Sequence, residues 1–131
     1  MADPLFHLVC APTALAGAEA WAAELLREGD LALLADASTL AAVDALAHAL
    51  DQRTIALLRN EPTPEAQDET VIAHAGPLPL IWLAADFSPR VRTWARDRGP
   101  MTLLVEVDGA LPDEERRRVD RFVALLARQA E

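Results

Sequence analysis

Five short apolar runs alternate with longer segments in which apolar residues recur every three or four positions. Residues 5–10 (LFHLVC), 31–35 (LALLA), 54–58 (TIALL), 80–84 (LIWLA) and 101–107 (MTLLVEV) have the length and continuity of buried strands. Residues 14–28 are alanine-rich, with Leu15, Trp21, Leu25 and Leu26 toward one side; Thr13 is placed to cap this helix and Gly29 to end it. Asp36 and Ser38 are candidate caps for a second helix carrying Leu40, Val43, Leu46, Ala47 and Leu50. The stretch from Arg59 to Glu69 is polar and proline-bearing and reads as a loop with room for one helical turn; residues 71–74 read as a short extended piece. Ser88 followed by Pro89 opens a helix with Val91, Trp94 and Ala95 on one face, and Gly99-Pro100 ends it. The last helix starts at Pro112 with acids matched to the positive end of its dipole, and Val119, Phe122, Val123 and Leu126 form its stripe.

Buried strands alternating with helices predict a parallel sheet covered on both faces. The expectation is one α/β domain over residues 1–131: three layers around a mostly parallel five-stranded sheet, flavodoxin-like or Rossmann-like. No internal repeat or linker divides the chain.

Charge narrows the functions this fold can carry. A net charge of -9 disfavours a broad nucleic-acid surface, because such affinity depends on cationic side chains displacing counterions. All 12 basic residues are Arg, so chemistry that needs a lysine ammonium, such as a Schiff base or a phosphate-loop lysine, is excluded. The single cysteine cannot form an intrachain disulfide, and the opening MADPLFHLVC lacks the basic start and apolar run of a secretion signal. No apolar segment approaches the roughly 20 residues needed to span a bilayer. A cytoplasmic protein without membrane contact is expected.

Ligands of open parallel sheets bind beyond the carboxyl ends of the strands. The residues to inspect there are Cys10 to Thr13, Asp36, Ser38, Asn60, Glu61, Asp86, Phe87 and Asp108. The rim is acidic, yet Asp36 is accounted for as a cap, Asp86 as the start of a turn and Asp108 by Asp-Gly turn chemistry, so neither metal nor cofactor is expected. The turn Cys10-Ala11-Pro12-Thr13 has no glycine to admit a pyrophosphate, which limits the Rossmann reading to topology. Cys10 is the weak catalytic candidate: a thiol near a helix N-terminus can be activated, whereas a small buried hydrophobe is the plainer account. The three histidines show no metal-ligand spacing. Partner contacts have better candidates. Arg90, Arg92, Arg96 and Arg98 share a helix with Trp94, and Arg116-Arg117-Arg118 with Arg121 give a second basic face; each suits an acidic peptide or subunit, and each equally suits a solvated surface in ion pairs.

Residues 27–36 (REGDLALLAD), preceded by a helix and by Leu5-Phe6-His7-Leu8 with Ala11-Pro12, resemble the opening of TusB/DsrH proteins, small members of the DsrE-like sulfur-relay superfamily. The similarity continues through TIALLRNE at 54–61 and LIWLAADF at 80–87. It implies an accessory, non-catalytic subunit of a hetero- or homo-oligomeric complex that passes persulfide sulfur, of the kind serving tRNA 2-thiolation. The chain departs from that pattern at the Trp21-Ala22 region, where some relatives carry a cysteine, at Ala37, where glycine is usual, and in the extension from Met101 to Glu131. A second resemblance, to the chi subunit of bacterial DNA polymerase III, rests on the order of elements and on the arginine-rich final helix. It implies a replication accessory subunit that binds an acidic peptide tail, although the tyrosines of that family are missing. A small enzyme with its site at the strand ends is the third expectation.

Overall fold

A computed structural model of the chain describes residues 4–51 and 55–130. Five strands, β1 (Phe6–Cys10), β2 (Gly29–Ala35), β3 (Ala56–Arg59), β4 (Leu80–Ala84) and β5 (Thr102–Glu106), form one sheet in the order β3-β2-β1-β4-β5. Every neighbouring pair is parallel. This is the Rossmann order without its sixth strand, with the topological switch between β1 and β4. The helices are α1 (Glu19–Leu25), α2 (Leu40–Leu50), α3 (Pro64–Ala75), α4 (Pro89–Arg98) and α5 (Asp113–Ala130).

The alternation of side chains along the strands splits the core into two layers. Phe6, Leu8, Cys10, Leu31, Leu33, Ile81, Leu83 and Val105 meet α1, α2 and α5 through Leu25, Val43, Leu46, Leu50, Val119 and Leu126. Val9, Ala32, Leu80 and Trp82 meet α3 and α4 through Val71, Ala75 and Val91. With both faces covered, the three-layer α/β architecture follows. In α5, Val119 and Leu126 are buried while Phe122 and Val123 are partly buried against the same layer.

Several local expectations are corrected. The single helix over residues 14–28 is instead a 3-10 turn (Pro12–Leu15) followed by α1, because Gly17 adopts a positive φ of 77° and breaks the run. Thr13 lies inside that turn and caps nothing. Gly29 is no helix terminator: it is the first residue of β2, paired with Phe6, where a Cβ would come within 2.4 Å of the Phe6 ring. Asp36 and Ser38 do not cap α2, whose preceding residue is Thr39. They fold into a turn in which the Asp36 carboxylate accepts the Ser38 amide at 2.9 Å. Thr54, the first residue of the expected third strand, lies outside the described residues.

The largest correction is α3. The stretch read as loop and extended piece is a helix of 12 residues, opened by Thr63, whose hydroxyl accepts the Ala66 amide, with Pro64 next to it. Its buried positions, Asp68, Val71 and Ala75, have helical spacing, but the first is a carboxylate, so no apolar stripe is visible in sequence. Asp68 is only 7% exposed and is satisfied by the Ser88 hydroxyl at 2.8 Å, which also accepts the Val91 amide and so caps α4.

Candidate functional site

At the carboxyl ends of the strands the polar residues are engaged with one another. One Asp36 oxygen accepts from the Ser38 amide and hydroxyl, and the other accepts from Asn60 Nδ2 at 3.0 Å. These bonds, first from Ser38 and then from Asn60, hold the Asp36 carboxyl below its ordinary range. Asp36, Ser38 and Asn60 are thus brought together across the ends of β2 and β3. Asp86 is separate, accepting the Phe87 amide at 2.8 Å and facing Arg92 at 3.9 Å, and Asp108 is exposed in the bend after β5. Among the described residues no three His, Cys, Asp or Glu side chains gather as a cation cage requires.

The switch point itself is closed by packing. Leu111, in the connection after β5, is buried with Ala14 and Leu15, and its amide donates to the Ala14 carbonyl at 2.9 Å. Since β4 lies between β1 and β5, this link passes over its end and covers the crevice where dinucleotides bind in related topologies. Cys10 is fully buried beneath, and burial pushes its thiol up to about 12, so a thiolate is scarce at neutral pH. A hollow of ≈ 1000 Å³ lies at the opposite end of the sheet, bordered by Leu5, Glu28, Pro79, Met101 and Leu126, away from the rim.

The arginines behave differently, because the fold brings two sequence-distant clusters to one edge. Among the described residues, strand β5 is the last strand of the sheet and pairs only with β4. A groove of ≈ 510 Å³ runs along it, walled by Arg92, Ala95, Arg96 and Gly99 from the α4 side and by Arg118 of α5, with Thr102, Leu103 and Leu104 as its floor. Beside it a smaller hollow, ≈ 290 Å³, is lined by Arg117, Arg118 and Arg121 with Glu114 and Glu115. In a chain of net charge -9, the larger groove has three guanidinium groups on its walls and no carboxylate. Arg92 also reaches Glu106 at the end of β5, and Arg118 reaches Glu115 at 3.4 Å; both pairs are exposed, so solvent screens them.

The remaining candidates point elsewhere. Arg90 turns to Glu69 on α3 at 3.7 Å. Arg98 is structural: it donates to the carbonyls of Leu78 at 2.6 Å and Gly76 at 3.2 Å and to Thr102 Oγ1 at 2.9 Å, while its guanidinium lies 4.8 Å from the Trp94 ring centroid. Partial burial lowers its pKa from the ordinary arginine value. The β5 backbone is the part of the groove that sequence reading did not single out. Arg118 was read as part of the basic triplet 116–118; no signal could have found the backbone, since which strand ends a sheet is a property of topology.

No helix of the described residues is long and apolar enough to cross a membrane. Comparison of the chain with protein-family models, with curated proteins and with solved structures found no match to any of them.

Proposed function

We propose that this chain is an accessory, non-catalytic subunit that works by protein–protein contact, taking an acidic segment of its partner in the arginine-walled groove beside β5. The observation that carries the reading is the convergence of Arg92, Arg96 and Arg118, from two separate helices, on one groove beside β5. Cationic walls of this kind steer and select acidic partners. The filled switch point and the buried Cys10 thiol give little support to a small enzyme at the strand ends. Of the two family resemblances, the chi-like role of holding an acidic tail is the one with a specific observation behind it. A sulfur-relay role fits only as a non-catalytic one, because the chain's own thiol is poorly placed to carry persulfide.

The test is fluorescence anisotropy with a capped, labelled decapeptide of alternating aspartate and valine. The wild-type chain is expected to bind it, more weakly as salt is raised. A matched peptide of asparagine and valine is expected to bind poorly. Equal binding of both peptides, or an affinity indifferent to salt, overturns the reading.

A further inference from the structure

Resting on that reading, we infer that the acidic segment binds as an added strand, pairing its backbone with the open edge of β5 to make the sheet six strands wide.

The argument begins with the ladder between β4 and β5. The Val107 amide donates to the Ala84 carbonyl at 2.9 Å, and the register pairs Ala84 with Glu106. In a parallel strand successive residues present their backbone groups to opposite sides. The amides and carbonyls of Val107, Val105 and Leu103 therefore face β4, and those of Thr102, Leu104 and Glu106 face the open side. An edge presenting a row of free donors and acceptors is a template for another strand.

The walls then decide which strand is admitted. Side chains of an added strand alternate between the two faces of the sheet, toward α4 on one side and α5 on the other. They meet Arg92 and Arg96 on the first and Arg118 on the second, with the apolar surface of Ala95 and Leu104 between. A basic strand is repelled by those guanidinium groups, whereas a carboxylate at the positions facing α4 pairs with Arg96 and competes with Glu106 for Arg92, and one at a position facing α5 competes with Glu115 for Arg118. The occupant is thus an extended acidic stretch of a partner protein, with backbone bonds supplying affinity and carboxylates supplying selection. Glu106 already holds Arg92 in the free chain, so the incoming carboxylate exchanges for an exposed pair.

The discriminating probe is the same aspartate–valine decapeptide carrying N-methyl groups, which delete amide donors without altering charge. Methylating one alternate set of amides is expected to weaken binding about tenfold, as loss of backbone bonds requires, while methylating the other set leaves affinity nearly unchanged. Amide hydrogen exchange at Thr102, Leu104 and Glu106 is expected to slow when the unmethylated peptide binds. If the two methylated peptides bind alike, or if those three amides stay unprotected, the strand-addition inference is overturned while acidic docking stands. If no aspartate–valine peptide binds, both fall. If sedimentation shows that the edge is covered by a second copy of the chain, the inferred partner is wrong.

Discussion

The two edges of the sheet are built in opposite ways. Strand β5 is flanked by arginines on both sides and anchored by Arg98, which ties the end of α4 to the residues leading into β4 and to Thr102. Strand β3 has four residues, packs against α3 and leaves Leu57 52% exposed. Edge strands are a pairing liability that proteins limit with charge, with short strands or with a cover. Here one edge carries cations, which under the proposed reading select an acidic strand, and the other is limited by its four residues. Among the described residues neither edge strand has a second neighbour, and only the first carries a cluster of charge.

The largest expected effect tests whether that difference concerns binding. Reversing Arg96→Glu and Arg118→Glu together should weaken the acidic decapeptide about a hundredfold, as lost attraction becomes repulsion. Arg59→Glu on β3 should leave it nearly unchanged. An equal loss in both variants, read by anisotropy, erases the distinction between the edges.

Arg98→Ala comes next, because it removes three donors and the cover over Trp94. Charge-assisted bonds to partly buried carbonyls are worth enough for an expected loss of about 2 kcal/mol in urea unfolding. Groove binding in the folded fraction should weaken too, since β5 and α4 lose their common anchor.

Acid should act at the central strand instead. His7 of β1 lies against His74 of α3, ring centroids 4.7 Å apart, and its Nδ1 is buried without a partner among the described residues. Burial first and the nearby His74 second lower its pKa from 6.5, against an opposing pull from Asp30. A base whose folded pKa is depressed binds fewer protons folded than unfolded, so stability is full above 6.5 and declines as pH falls below it, until the folded form also takes up its proton. Urea midpoints should therefore drop from pH 7.5 to pH 5.5 in the wild type. The drop should shrink in His74→Gln, which removes the second cause. An unchanged slope in that variant sinks the assignment.

The smallest effect is expected from Leu57→Lys, which should alter stability by no more than about 0.5 kcal/mol at an exposed edge position. It should lower aggregation on heating, as measured by light scattering.

Where the chain announces its elements, it does so through local rules. The runs LFHLVC and LIWLA correspond to β1 and β4 within a residue, and Ser88-Pro89 and Gly99 bound α4 as their cap and breaker chemistry dictates. The same signature stood at Thr63-Pro64, yet α3 was illegible, because its inward face begins with Asp68. That carboxylate reads as surface until Ser88, 20 residues away, is seen to satisfy it. Gly29 misled in the opposite sense: its glycine is required by the Phe6 ring on a neighbouring strand.

Taken alone, the sequence determined the alternation of strands and helices, the parallel three-layer class, the acidic balance and the two arginine clusters, since periodicity, caps and charge are local properties of a chain. Tertiary structure decided the strand order, the closing of the switch point by Leu111, the burial of Cys10 and the meeting of Arg92 and Arg96 with Arg118. Each of these depends on contacts between residues distant in sequence. Which backbone groups stay unpaired at an edge is settled only when every strand has found its neighbour.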